Sequence, residues 1–373
     1  MRCRVVLERM GMVQMRGKAV GLALVGLGGL LLVAGLVVLA VVAPARSQFP
    51  DDVDTMRQYE GELVVMLDAD ALASGDLANL FIRNVPVEID RSIQTLEVDG
   101  GKALVQDESV ISGPAGPLLG SEDTYAIDRK TMEHIENFTD DDRVIEREGL
   151  VVGFPIGTDP EDYEGFNGDT LATNTISFVG EEELEGVDTY VFTASSGPDR
   201  ITDPVVLASF PPALPKAQLE GLVPALGLSE DVAAQLGQAL AALPDPVPLT
   251  YLYTYETNYW VEPDSGVLVD YEKLESRAVA LDLGQQPVPV GEVMRLEYAQ
   301  TDASVAEAID DAEDASAALF WQGRVLPYGL LAGGVLAAVV GLPALRRRSE
   351  GPDSGPPASS PSSDPSDTVG QSA

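Results

Sequence analysis

The 373 residues hold 60 acids against 23 bases, a formal charge of −37, and 45% of them are hydrophobic. The charge excludes a general nucleic-acid binder, which needs a basic face for phosphates, and the hydrophobicity excludes an acidic disordered chain. With one cysteine, Cys3, and one histidine, His134, no disulfide or cysteine-based metal or redox motif forms, and most zinc sites and triads fall away.

What remains is a folded protein with a heavily acidic surface, and a halophilic source is expected. Only five of the bases are lysine. In such a chain solvated surface is the default reading of any acidic pair.

Residues 1–18 are basic (Arg2, Arg4, Arg9, Arg16 and Lys18). They precede 25 uncharged residues, 19–43, more than the ~20 that cross a bilayer. Ala43-Pro44-Ala45 has the small-x-small look of a cleavage site. A signal-peptide core is only ~7–15 residues long, however, so an uncleaved anchor is expected. A second uncharged run of 21 residues, 325–345, ends at Arg346, Arg347 and Arg348. The excess of bases at both ends puts them in the cytoplasm and residues 46–324 outside, in a two-pass cell-membrane protein. Trp321 and Tyr328 fall where an aromatic belt lies. Gly17/Gly21 and Gly329/Gly333 have the spacing of close helix approach, which suits pairing of the spans or self-association. Glycine is common in membrane helices for other reasons too.

The outer segment holds 55 acids and 15 bases. Short β-rich runs separated by Gly, Asp and Pro recur from Tyr59 to Tyr298. Alternation is clearest in Tyr251, Tyr253, Tyr255, Thr257, Tyr259 and Val261, which share one face. The fold class is mainly β (α+β): an extracellular antiparallel β domain between two transmembrane helices. A Pro-bracketed helical insertion, 211–247, interrupts it, with Ser229 as N-cap and Leu236, Leu240 and Leu243 at helical spacing. Ser304-Val-Ala-Glu307 reads as a capping box that opens an Ala- and Asp-rich helix toward the second span. The Ser/Pro-rich cytoplasmic tail, 346–373, is disordered by composition.

Tyr259-Trp-Val-Glu-Pro-Asp-Ser-Gly-Val-Leu-Val aligns with Tyr125-Ala-Ile-Asp-Arg-Lys-Thr-Met-Glu-His-Ile. Both read as strand–turn–strand, with acid and hydroxyl closing the turn on backbone N–H groups. The match leaves two similar lobes of curved sheet open beside a single unrepeated sheet.

Asp140, Asp141, Asp142, Asp159, Glu161, Asp162 and Asp169 offer oxygen ligands for calcium, but without EF-hand spacing, so a solvated loop is expected. Asn137-Phe-Thr139 is an N-glycosylation sequon. His134 lies in a β-type run and reads as structural. No Walker, Rossmann or nucleophile-elbow pattern occurs outside the spans. Catalytic residues, metal ligands and cofactors are therefore expected to be none, and the protein is expected not to be an enzyme.

The order of Val85-Pro-Val, Tyr125-Ala-Ile-Asp-Arg-Lys-Thr, Gly153-Phe-Pro-Ile, Tyr163-Glu-Gly-Phe-Asn, Glu185-Gly-Val-Asp-Thr-Tyr-Val-Phe and Tyr259-Trp-Val-Glu-Pro-Asp-Ser-Gly between two spans is distinctive as a set. It resembles the two-span envelope proteins of the PorA family over residues 19–345. The chain departs from them in its acidity and at Phe166-Asn167, where the family tends to have Trp-Asp. The resemblance implies architecture rather than activity. A pore-forming barrel is not expected, because it needs many ~10-residue strands with an uncharged lipid face. The expected function is a membrane-anchored envelope protein whose outer domain binds a lipid or small apolar ligand, in a cavity with the insertion at 211–247 as its lid, or organises the cell surface with an envelope partner. A sensor signalling through a partner is the alternative, with an acid-pair hydrolase behind it.

Overall fold

The computed structural model describes residues 2–76, 78–141, 143–144, 147–226, 230–282 and 286–346, with side-chain surroundings from residue 19 onward. The chain divides into two compact units, one of the residues up to Leu36 with those from Tyr328, the other Val37–Pro327. Asp142, Ser229, Arg347, Arg348 and the tail lie outside the described residues.

In the first unit, α1 (Arg2–Val37) and α8 (Leu326–Arg346) carry the two apolar runs, each long and apolar enough to cross a membrane. They pack antiparallel. A Cβ at Gly28 would lie 2.7 Å from the Gly334 carbonyl oxygen, and one at Gly341 3.0 Å from that of Gly21. The approach uses glycines seven residues apart on each helix rather than four, because two full turns return a residue to the same face. Gly329 meets nothing within 4 Å and Gly333 only the Leu31 side chain, so of the three expected glycines with described surroundings Gly21 is the one at the close contact. Gly17 lies outside the described side-chain surroundings. Leu22, Leu30, Val33, Leu336 and Val339 are more than half exposed, an apolar surface that a bilayer solvates.

The second unit is built on one antiparallel sheet. Its strands are β1 (Asp54–Leu67), β2 (Phe81–Asp99), β3 (Lys102–Gly113), β4 (Gly116–Asp128), β5 (Tyr163–Asn167), β6 (Ala172–Leu184), β7 (Val187–Arg200), β10 (Thr250–Val261), β11 (Leu268–Asp282) and β12 (Pro287–Gln300). Their order is β4-β3-β2-β1-β12-β11-β10-β7-β6-β5. The short helix α2 (Ala43–Arg46) precedes β1, and α3 (Ala69–Ser74) links β1 to β2. Between β7 and β10 come α4 (Pro204–Ala208), α5 (Lys216–Leu222) and α6 (Glu230–Ala242), with a two-residue ladder of β8 (Ala213–Leu214) on β9 (Val247–Pro248).

The sheet curls until its edges meet. Asp128 donates its N–H to Glu133 and Ile135 donates to Ala126, which adds residues 133–135 to β4. His134 donates to Gly149. Leu150 donates to Glu164 and accepts from Phe166, which completes the path to β5. Val105 and Ile127 from one edge therefore share a core with Ile176 and Phe192 from the other. Outward positions on the same strands are charged: Glu60, Glu62, Glu88, Asp90, Glu256 and Glu272 are exposed.

The two related hairpins match bond for bond. The Asp128 carboxylate accepts from the N–H groups of Lys130 and Thr131, and the Glu262 carboxylate from those of Asp264 and Ser265. Met132 donates to the Asp128 carbonyl and Gly266 to that of Glu262. Those donors have φ of 61° and 73°. Each hairpin ends a four-strand meander, β1–β4 in one case and β5–β7 with β10 in the other. The lobes differ most where the third strand meets the fourth, by a two-residue turn in the first and by residues 201–249 in the second, and less between first and second strands, where only the first lobe has α3.

Helix α7 (Asp302–Phe320) starts two residues before the expected capping box. The Thr301 hydroxyl accepts from Ser304 N–H at 3.2 Å and caps it. Ser304 is thereby freed to accept from Gln58 N–H at 3.1 Å. Val305, Ile309 and Ala312 pack on Val187 and Val269.

The lobes are joined through β1 and β12, where Gly61 faces Tyr298. A Cβ at Gly61 would collide with the Glu297 carbonyl oxygen and lie 2.7 Å from the Tyr298 Cβ. Gly61→Val is expected to cost about 3 kcal/mol by overpacking, read as a lowered melting temperature of the full chain in detergent.

Candidate functional site

The helical insertion covers an apolar cavity of about 50 Å³ at the end of the curled sheet. Leu214, Leu222 and Leu240 of the insertion face Phe81, Val279 and Leu281 of the sheet across it. The β8–β9 ladder ties the two stems of the insertion together. Tyr251 carries the polar group nearest the cavity. Its hydroxyl donates to the Pro211 carbonyl at 2.8 Å, and its ring stacks on Phe210 at 4.6 Å. Burial pushes the Tyr251 phenol well above its usual range. The cavity offers contact to hydrocarbon and no hydrogen bond to a headgroup. It has a third of the volume of an engineered cavity of about 150 Å³ that admits benzene.

Deeper inside the curl, the inner face carries paired charges. Lys273 Nζ lies 2.8 Å from Glu275, which also accepts from the Tyr253 hydroxyl at 2.6 Å. Arg277 grips Asp169 with two hydrogen bonds of 2.6 and 3.0 Å, and Arg91 grips Asp107 with two of 2.9 and 2.6 Å. At the seam Arg147, its side chain 4% exposed, lies 3.0 Å from Asp123 and between the rings of Tyr125 and Phe166. Burial alone would raise the Glu275 carboxyl, but Lys273, Arg277 and the Tyr253 hydroxyl outweigh it and hold the group at about 2. Burial works against the Lys273 ammonium too, and Glu275 beside it holds its pKa well above the usual range. With each cation matched to a carboxylate, these groups fill space and fix geometry.

Sequence reasoning placed none of these charges inside, although β11 carried a signal. Lys273, Glu275 and Arg277 share strand parity with the inward Tyr271, Val279 and Leu281.

The expected acidic residues do not converge. Asp141 takes the Arg143 guanidinium, which holds its carboxyl at about 2. Asp162 accepts from Phe178 N–H at 2.9 Å, and Asp169 faces the interior. Among the described residues no group of three or more His, Cys, Asp or Glu side chains could hold a metal ion. The Asn137 amide accepts from Thr139 N–H at 2.9 Å and from its hydroxyl at 3.0 Å, and donates to the Asp141 carbonyl at 2.7 Å. His134 serves the seam through its backbone.

Lys273→Met removes the nearest cation from the buried Glu275 carboxylate, and is expected to destabilise the full chain by about 3 kcal/mol in a urea titration. Lys273→Met with Glu275→Leu should recover most of that loss in the same urea titration. The Glu275 carboxyl lies lower in the fold, at about 2, than its ordinary 4.5. Its contribution is therefore complete above pH 4.5 and lost as pH falls toward 2, an acid-side decline that the double variant should show less.

The family model described as "Porin PorA" matches residues 20–343. A relative named Porin PorA, from Corynebacterium resistens, is 28% identical over 239 residues, 54% of this chain and 57% of its own length. The chain thus spans little more than half of that relative. Among solved structures, an acyl-CoA thioesterase II from Mycobacterium marinum is 13% identical at a TM-score of 0.12, covering 72% of this chain and 87% of its own. A MaoC-like dehydratase is 9% identical at a TM-score of 0.12, covering 70% and 82%. Scores that low carry no argument about fold or chemistry. With its family model matched from the first apolar helix to the second, this chain belongs to the PorA family.

Proposed function

We propose that this PorA-family protein is a membrane-anchored envelope protein whose outer domain holds a hydrocarbon chain, without catalysing a reaction. The observation that carries this reading is the cavity under the insertion, bounded by Leu, Val and Phe side chains with its one nearby hydroxyl already bonded. A site of that composition recognises the apolar part of a lipid and is blind to the polar part. The paired charges inside the curl have no free carboxylate pair to offer as acid and base, which favours binding over hydrolysis.

The antiparallel packing of α1 and α8 suits a two-pass hairpin with both ends on one side of the membrane. The bases at each end favour the cytoplasmic side, with residues 46–324 outside. An acidic outer face suits a salt-rich exterior.

The relative's printed name keeps a pore as the second reading. Glu60, Glu62, Glu88, Asp90, Glu256 and Glu272 weigh against this sheet facing lipid, since charges on such a face are costly. A pore would then have to come from α1 and α8 of several copies.

The deciding experiment is native mass spectrometry of the full chain, purified from its own membranes in high salt and released from nanodiscs. A reproducible added mass, removed by organic extraction and absent from Leu240→Trp, is the expected result. A bare mass together with step conductance in planar bilayers would replace the binding reading with the pore.

A further inference from the structure

The cavity is too small for the chain it is proposed to hold, so the insertion has to move, and its attachments indicate how. Among the described residues, no hydrogen bond joins α5 or α6 to the ten-stranded sheet. Their contacts with it are carbon on carbon: Leu222 shares an apolar cluster with Phe81, and Leu236 and Leu240 share one with Leu281. Their polar bonds are internal. Lys216 Nζ donates to the Ala241 carbonyl at 3.1 Å, and Lys216 N–H to Asp245 at 3.2 Å. Two helices tied to each other and only greased to the sheet move as one body.

Polar moorings occur at the stems. On the C-terminal side, Leu249 N–H and the Tyr251 hydroxyl bond the carbonyls of Pro212 and Pro211. On the N-terminal side Ile201 N–H bonds the Tyr251 carbonyl at 2.9 Å, and the two residues after it are moored through Asp169. The Asp169 carbonyl accepts from Thr202 N–H at 2.9 Å and Asp203 N–H at 3.1 Å. The Asp203 carboxylate in turn caps α4 on Val205 and Val206, and the Thr202 hydroxyl bonds Thr170. Asp169 itself is 8% exposed and held by the two-pronged grip of Arg277. Arg277 shares its strand face with Val279 and Leu281, which line the cavity.

We infer that α5 and α6 form a lid over the hydrocarbon site, and that Asp169 and Arg277 are its positioning pair, pinning the lid's N-terminal stem to the floor of the cavity it closes. This rests on the hydrocarbon-binding reading for what enters, but the mooring itself is separate from any ligand. A loosened pin raises the population of the open lid and leaves the strands as they are. The pair thus sets how readily a chain enters and leaves, while the apolar lining sets what fits.

The test uses the full chain in phosphatidylcholine nanodiscs, first without added ligand. Deuterium exchange is compared between wild type, Asp169→Asn and Arg277→Lys, the last keeping the charge but losing the fork. Loss of a charge-assisted bond of this kind predicts that exchange in 230–243 rises about tenfold or more in Asp169→Asn. Arg277→Lys should show a smaller rise, with exchange in β1 and β12 unchanged. Unchanged exchange in the insertion of both variants overturns the proposal. So does a rise shared equally by β1 and β12 in both variants, which would make the pair a general structural tie.

The second arm loads radiolabelled hexadecanol. Faster release from Asp169→Asn at unchanged capacity is expected, and equal release rates in wild type and variant count against the pair. If wild type retains no hexadecanol, the ligand reading falls, while the exchange result still decides the lid.

Discussion

The structure depends on closing a sheet across a seam only two short segments wide. Ten strands with one apolar face have to bury it, and among the described residues the other sheet is only the two-residue β8–β9 ladder. The edges instead meet through residues 133–135 and 149–150, by a handful of backbone hydrogen bonds. A ring of eight strands is just filled by ordinary side chains, and a wider one leaves a lumen. This ring is wider, so aliphatic residues alone do not fill it. Tyr59, Tyr298, Tyr271 and Tyr259, on four neighbouring strands, form a row of rings at separations of 5.3 to 5.9 Å. Long paired side chains, Arg91 with Asp107 and Arg277 with Asp169, fill much of the rest. The insertion closes the end that remains.

That filling alters the meaning of the net charge. A chain at −37 has few cations to spend, and Arg91, Arg147, Lys273 and Arg277 are drawn to the inner face or the seam. Each neutralises a carboxylate there, so the outer surface is left with fewer cations to offset its acids. Salt screens the exposed acids over a Debye length of about 8 Å at physiological ionic strength, and buried pairs much less. Raising the salt therefore relieves repulsion outside while leaving the interior pairs nearly intact.

Much of this was legible in the sequence, for physical reasons that also mark the boundary of what was not. The Tyr251–Val261 alternation gave β10, because a strand with one buried face has period two. The acid–hydroxyl turns at Asp128 and Glu262 were readable because carboxylate-to-N–H closure is local. The apolar runs were readable by length. The seam was not, since one or two paired residues such as His134 and Leu150 carry no period. The interior charges were missed because surface is the sound default for acids in such a chain, and Asp169 finds Arg277 only through the curl. The cavity was anticipated as a place, under 211–247, but not as a small volume, which is set by how Leu240 and Leu281 meet. The helix contact was read four residues apart, when antiparallel packing selected Gly21 and Gly28 against Gly341 and Gly334.

The internal symmetry bears on where function sits. Two meanders end in hairpins alike to the level of individual hydrogen bonds, so whatever they share is needed for the sheet. They differ modestly in the link between first and second strands, where only the first lobe has α3, and most in the link between third and fourth. In the first lobe it is Pro114-Ala115. In the second it is residues 201–249, with three helices, its own small ladder and the apolar cavity beneath. Simple closure of the sheet is served by the short link, as the first lobe demonstrates. The long one orders many more residues at an entropic cost of about 1–2 kcal/mol each for the backbone alone. Against that cost, it makes carbon contacts over a cavity and is moored by Asp169 to the strand that forms the floor. Function grafted onto a scaffold shows as such a departure from the scaffold's own repeat, and here that departure and the candidate site are the same segment.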